Sequence, residues 1–156
     1  MHESVAVSCA AGGLPWSPED FDDVCMVYGG TGITPMLGVM KHLRELKGCE
    51  TNMHVIACNR GVNDILLQDQ LDELAFTGEG RFTATHVLSE PPTAGSAEVA
   101  GEESIVRGQR ISLAILKARL PPAGNRVLVL VCGRPSFASR VASMLKNIGH
   151  TYHVFG

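Results

Sequence analysis

One stretch, Val24–Leu37, constrains this chain more than any other: VCMVYGGTGITPML. An apolar run from Val24 to Tyr28 ends in the turn Gly29-Gly30-Thr31-Gly32. Thr34 and Pro35 follow, a residue type that caps helices and one favoured at the first helical position. Strand, tight glycine turn and helix N-terminus in that order make a site for an anion. Glycines let backbone N–H groups approach a ligand, and the helix dipole favours negative charge there. Two local readings stand: a nucleotide or anion pocket, and a ligand-free strand-to-helix turn.

The rest of the chain alternates strand and helix signals. From Thr34 to about Lys47, Leu37, Met40, Leu43 and Leu46 recur at helical spacing, and Gly48 ends the helix. Asn52–Asn59 (NMHVIACN) reads as a second strand, and Asp64 as the cap of a helix carrying Ile65, Leu66, Leu67, Leu71 and Leu74. Arg81–Ser89 (RFTATHVLS) is a third strand. Residues 90–108, with Pro91-Pro92, three glycines and no period, read as a long mobile loop. Ser112 caps a helix through Ile115, Leu116 and Leu120. Arg126–Gly133 (RVLVLVCG) is unbroken in its apolar run, as a parallel strand covered on both faces would be. A helix from about Ser136 to Ile148 and a final strand in HTYHVF close the chain. The pattern predicts an α/β fold with a doubly wound, mostly parallel sheet, a Rossmann-like three-layer domain with ligands at the C-terminal strand ends.

At 156 residues the chain is the size of one domain, and 45% of it is apolar. A formal charge of −3 leaves no basic footprint for nucleic acid. No apolar run reaches the length of a membrane span. Five cysteines without a CxxC pair read as reduced thiols of an intracellular, cytoplasmic protein, which leaves room for membrane association of a longer one.

The turn fits neither familiar glycine fingerprint. No Gly-Lys-Ser/Thr follows it, so it is not a P-loop, and Pro35 stands where GxGxxG needs its third glycine. A second motif, Cys132-Gly133-Arg134-Pro135-Ser136-Phe137, ends the most buried strand. A CxxxxxR phosphatase loop would need arginine at Ala138. Cys132 is either a packed thiol or a nucleophile with a histidine such as His150. Cysteines and histidines lack zinc-ligand spacing, so no metal site is expected. Near the end, Phe155 is either a core residue or a ring that stacks on a planar cofactor.

GGTGITPML, ACNRGVNDILLQDQLDEL, HVLSEPP, GQRISLAILKARLPP and LVCGRPSF, in this order and before an aromatic end, resemble the NAD(P)H-binding half of the ferredoxin–NADP reductase superfamily. Within it the nearest likeness is to the cytochrome b5 reductase and nitrate reductase flavin enzymes. The resemblance covers nearly all of residues 24–155. It implies that Gly29, Gly30, Thr31 and Gly32, with the helix opening at Thr34-Pro35, hold the pyrophosphate and approach the nicotinamide. It places Cys132 beside the nicotinamide–flavin contact, with Gly133 and Pro135 flanking the same pocket. Phe155 resembles the C-terminal aromatic near the flavin, and Asn59, Arg60 and Asp64 match the stretch that supports the site after the second strand. Hydride transfer between two stacked rings depends on orientation rather than on a protein acid or base. Cys132 is therefore expected to position reactants and not to attack.

Departures sharpen the expectation. CGPPPM is the family's usual form, whereas Arg134 here replaces a proline, and its charge reaches either a cofactor phosphate or solvent. At the end of the third strand the resemblance implies an acidic residue that accepts from a ribose hydroxyl. Ser89 stands there, followed by Glu90, which would repel a 2′-phosphate, with no arginine pair beside it in sequence. NAD(H) is thus favoured over NADP(H). The resemblance also implies FAD, held by a β-barrel with an RxYS-type motif that this sequence does not contain. Residues 1–23 read as a linker or the remnant of such an upstream domain, and 24–156 as the NAD(P)H-binding domain. The expected partners are the FAD-binding barrel and a downstream acceptor such as a haem protein. A non-catalytic NAD(P)H-binding or sensing module is the competing class.

Overall fold

The computed structural model describes residues 17, 20–77, 80–90 and 105–155. Most of the expected linker at 1–23 and of the expected loop at 90–108 lies outside the described residues. Among the described residues six strands form one parallel sheet: β1 (Asp23–Gly29), β2 (Asn52–Asn59), β3 (Phe82–Leu88), β4 (Ile105–Arg107), β5 (Val127–Cys132) and β6 (Thr151–Val154). Their spatial order is β4-β3-β2-β1-β5-β6. Helices α1 (Ile33–Glu45), α2 (Gln68–Thr77), α3 (Leu113–Arg119) and α4 (Pro135–Asn147) cover the faces.

The sequence pattern explains this layering. Val24–Tyr28 of β1 and Val127–Val131 of β5 are buried at every position, as central parallel strands require. Alternate side chains feed two cores. Val24, Met26, Tyr28, Leu128 and Leu130 pack with Ile33, Met36, Met40 and Leu43 of α1 and with Leu71 and Leu74 of α2. Cys25, Val27, Val129 and Val131 pack on the other face with Ile115 and Leu116 of α3 and with Val141 and Leu145 of α4. Each fully buried aliphatic side chain contributes ~1.5–3 kcal/mol. After β1 the chain builds outward through β2, β3 and β4, then returns to the far side of β1 as β5. That reversal opens a crevice at the C-terminal ends of β1 and β5.

Three local expectations change. The helix expected from Thr34 begins earlier: a 3-10 turn, Gly30–Gly32, runs directly into α1 at Ile33. Thr34 lies inside the first turn and Gly32 occupies the cap position with no side-chain bond, because a continuous turn leaves no extended residue to cap. Asp64 does not cap the next helix. It ends the 3-10 turn Val62–Asp64, its Oδ2 accepts from the Gly61 amide (3.1 Å), and α2 starts only at Gln68. Leu67 adopts a left-handed φ of 57°, which breaks any helix running through Ile65–Leu67. Finally, β4 lies within residues expected to be loop. Its three residues pair with His86–Leu88, an edge too short to show a period. Ser112 does cap α3, accepting from the Ile115 amide at 3.3 Å. Among the described residues no helix is long and apolar enough to cross a membrane.

Two stability predictions follow from these elements. Ser112→Ala removes the cap of α3 and should cost ~1 kcal/mol in urea denaturation. His86 on β3 is 4% exposed, and its Nδ1 has no partner among the described residues. Burial pulls its pKa below the ordinary 6.5, opposed by the charge of Asp72. The unfolded chain therefore takes up a proton where the folded chain does not. This group's stability is complete above the unfolded value and is lost as pH falls toward the lower folded one. Urea midpoints should drop between about pH 7.5 and about pH 5.5, and His86→Leu should flatten the drop. An unchanged slope in the variant would assign the effect elsewhere, with His150, also lowered by burial, the next group to test.

Candidate functional site

The turn after β1 and the turn after β5 meet. A Cβ on Gly32 would stand 2.5 Å from the Cys132 carbonyl oxygen and 2.8 Å from its carbonyl carbon. Only glycine fits, because the obstacle is backbone. Gly30 serves a different end: its φ is 56° and nothing lies within 4 Å of a Cβ built there, so the glycine supplies conformation and leaves open space. The ring of Phe137, on the first turn of α4, lies against both Gly29 and Gly133 (3.6 Å and 2.6 Å from their hypothetical Cβ atoms).

Above these turns lies a cavity of about 880 Å³, within the range of small-molecule sites. Of the residues singled out in sequence, Gly30, Thr31, Asn59, Arg60, Asp64, Ser89 and Arg134 line it. Gly29, Gly32, Gly133 and Pro135 shape the turns beneath; Pro135 opens α4 at the position proline favours. Thr34 and Pro35 sit in the first turn of α1, outside the lining. Sequence reasoning missed Gln109, Arg110 and Ile111, which reach the cavity only because β4 exists, and Arg140. Arg140 follows Phe137 by three residues on α4, so the shared helix face was the available signal. Its Nη2 donates to the Ile111 carbonyl (2.6 Å), tying α4 to the segment after β4.

The cavity is electropositive. Arg60, Arg110, Arg134 and Arg140 line it against one carboxylate, Asp64. Glu90 is not part of the lining. Its Oε2 lies 3.4 Å from Arg60 Nη2, so one arginine stands beside it in space. The Ser89 and Glu90 amides donate to the Asn59 and Arg60 carbonyls (3.0 Å and 2.8 Å), joining the loops after β2 and β3.

Cys132 and Phe155 lie to the side of this cavity. Register pairs Tyr28 with Cys132 and Val131 with Val154, so Phe155 continues next to Cys132. The Phe155 amide donates to Val131 (2.9 Å), and its ring, 8% exposed, packs edge-on to His153. Tyr28, at the same level on β1, carries a buried hydroxyl with no partner among the described residues. Burial raises the Cys132 thiol above its ordinary value, against a pull from the Gly133 amide. Burial pushes Cys58, in the cavity wall, up to about 12. Neither thiol is activated. His150 precedes β6, whose Thr151 pairs with Leu128, so the proposed base sits at the opposite strand end from Cys132. The nucleophile reading therefore lacks its partner.

Gly32→Ala should cost ~1–3 kcal/mol by overpacking against backbone. Gly30→Ala should cost ~1–2 kcal/mol from its left-handed φ alone. Urea denaturation of both variants checks this; a neutral Gly32→Ala would mean that the two turns are not in contact.

Known proteins resemble this chain in sequence and fold. The family model described as "Oxidoreductase NAD-binding domain" matches residues 26–143. NADH-cytochrome b5 reductase 2 of Rattus norvegicus is 35% identical over 127 residues, covering 81% of this chain and 43% of that protein. The cytochrome b5 reductase domain of Ulva prolifera nitrate reductase superposes with a TM-score of 0.69 at 26% identity, covering 86% of this chain and 50% of that one. The CS-b5R domains of human Ncb5or in the NAD+ form give 0.71 at 25%, covering 89% and 38%. The chain thus spans half the length of these relatives or less. With the match running from within β1 to within α4 and taking in both turns of the site, this chain belongs to the oxidoreductase NAD-binding domain family.

Proposed function

We propose that this chain is the nucleotide-binding half of a flavin-dependent reductase. It binds NADH across the strand ends and presents the nicotinamide to FAD held by a barrel domain, with electrons passing on to a haem protein or similar acceptor. The observation that carries this reading is the meeting of the two turns under one electropositive cavity, where Gly32 touches the Cys132 carbonyl. The residues present fit a dinucleotide. Gly30 leaves its backbone open, Thr31 and Ser136 offer hydroxyls, and Arg134 and Arg140 offer charge to a pyrophosphate. NADH when bound supplies a hydride. The chain's own residues bind, orient and exclude water, which is what such a transfer asks of a protein.

In this reading Cys132 is a positioning residue at the edge of the site, and Phe155 and Tyr28 form its flank on the neighbouring strands. Glu90 acts through Arg60, holding that guanidinium at the cavity rim. The four described cysteines are free, which supports a reducing, cytoplasmic setting. The name of the Rattus norvegicus relative supports NADH as the preferred nucleotide.

The test is a fluorescence titration of the chain with NADH and with NADPH, repeated after adding the FAD-loaded barrel domain of a relative. Saturable NADH binding in the ~1 μM–1 mM range is expected, tighter than NADPH. With the barrel present, Cys132→Ala should slow single-turnover flavin reduction ~10-fold or more while changing NADH affinity little. No saturable binding of either nucleotide would overturn the reading, and unchanged reduction by Cys132→Ala would remove Cys132 from its role.

A further inference from the structure

At the opposite end of the strands from the cavity, three side chains line up across the sheet. Register places Thr83 of β3 beside His54 of β2, and His54 beside Cys25 of β1. Asp23 precedes Cys25 by two residues, so Asp23, His54 and Thr83 share one face. It is the face on which Cys25, Val27 and Ile56 pack with residues of α3 and α4. His54 Nε2 lies 2.8 Å from Asp23 Oδ1, and the Thr83 hydroxyl lies 3.3 Å from His54 Nδ1. The Asn52 side-chain amide donates to the same Asp23 oxygen (3.3 Å) and so restrains the carboxylate.

The chemistry of these groups sets the direction of the bonds. A carboxylate only accepts, so Nε2 carries the imidazole hydrogen and Nδ1 keeps its lone pair for the Thr83 hydroxyl. A hydroxyl that donates to an imidazole, itself held by a carboxylate, is a nucleophile paired with an oriented base. The His54 and Asp23 side chains are 22% and 21% exposed, whereas Thr83 is exposed. The base and its carboxylate are thus held within the sheet, and the nucleophile faces solvent. Arg126 pairs with Asp22 at 2.9 Å, one residue before Asp23. β4 begins its pairing at His86, so among the described residues Thr83 has a neighbouring strand on the β2 side only. A reagent approaches from the other side.

We propose that Thr83 is an acyl-accepting hydroxyl, with His54 as its general base and Asp23 and Asn52 as positioning residues. Its donor is an activated acyl group, an aryl ester or a thioester. Thr83 Oγ1 bonds to the acyl carbon as the bond from that carbon to its leaving oxygen or sulfur breaks. The hydroxyl proton passes to His54 Nδ1 and from there to the leaving group. Nothing is oxidised or reduced, and the product is an acyl ester on Thr83. None of the residues assigned to the nucleotide takes part, so this site stands or falls independently of that reading.

The test incubates the whole chain with p-nitrophenyl acetate and follows acetyl groups residue by residue with peptide mass spectrometry. Ser139, an exposed primary hydroxyl on α4, is the internal reference. Wild type should gain acetyl on Thr83 ~100-fold faster than on Ser139, the scale of general base catalysis. Thr83→Ser should react at this position at least as fast, because its hydroxyl is less crowded. His54→Gln should slow acetylation of Thr83 ~100-fold. Asp23→Asn should slow it comparably with an unchanged circular dichroism spectrum, because an amide can donate to Nε2 and hold the imidazole in the wrong tautomer. Acetylation of Thr83 no faster than that of Ser139 in wild type would overturn the proposal, and this comparison needs no variant to fold. Wild-type rates on Thr83 in His54→Gln or in Asp23→Asn would overturn it as well, leaving the three side chains as a hydrogen-bonded brace between strands.

Discussion

The contact between Gly32 and the Cys132 carbonyl is where the two halves of the fold are held to one geometry. One partner closes the turn after the first strand and the other ends the fifth, a hundred residues later in sequence, yet a single methyl group would not fit between them. Parallel pairing of β1 with β5 brings the two turns to the same level, and the glycine allows them to close. Everything at the C-terminal edge depends on that closure. The Phe137 ring can then lie across Gly29 and Gly133, α4 can start at Pro135, and Arg140 can reach back to Ile111.

Charge makes the resulting crevice selective. Four arginines and one aspartate face the same space, although the whole chain is net negative. A guanidinium is always charged and binds phosphate oxygens through a planar fork, so such a wall favours a ligand that brings its own anionic centre. Burial raises the Cys132 thiol above its ordinary value, and the tyrosine and phenylalanine on the strands either side give that corner its shape.

Legibility in sequence followed the strength of local patterns. Asn52–Asn59 and the Ser112 cap could be read from sequence because each is dictated by a few neighbouring residues: an apolar run, or a hydroxyl three residues ahead of the amide it satisfies. Asp64 and Thr34 misled for the same reason. Both are good caps, but Leu67 entered a left-handed conformation and Gly30–Gly32 ran straight into α1, and neither event has a local signal. The cavity divided in the same way. Gly30, Thr31 and Arg134 lie in motifs that announce a turn, whereas Gln109, Arg110 and Ile111 owe their place to a three-residue edge strand that only its pairing with β3 reveals.

The sequence by itself determined the layered α/β architecture and the tight glycine turn after the first strand, while the pairing of that turn with the cysteine motif came from the family resemblance those motifs carry. The architecture and the turn rest on periodicity and on glycine's lack of a side chain, properties of short stretches. Only the tertiary structure decided the rest. It set Glu90 beside Arg60, placed Phe155 next to Cys132 and His150 at the opposite strand end, and left Leu66 uncovered at the rim. Those outcomes depend on strand register and on which loops share an edge of the sheet. They arise from residues far apart in the chain competing for the same volume, and no local pattern encodes them.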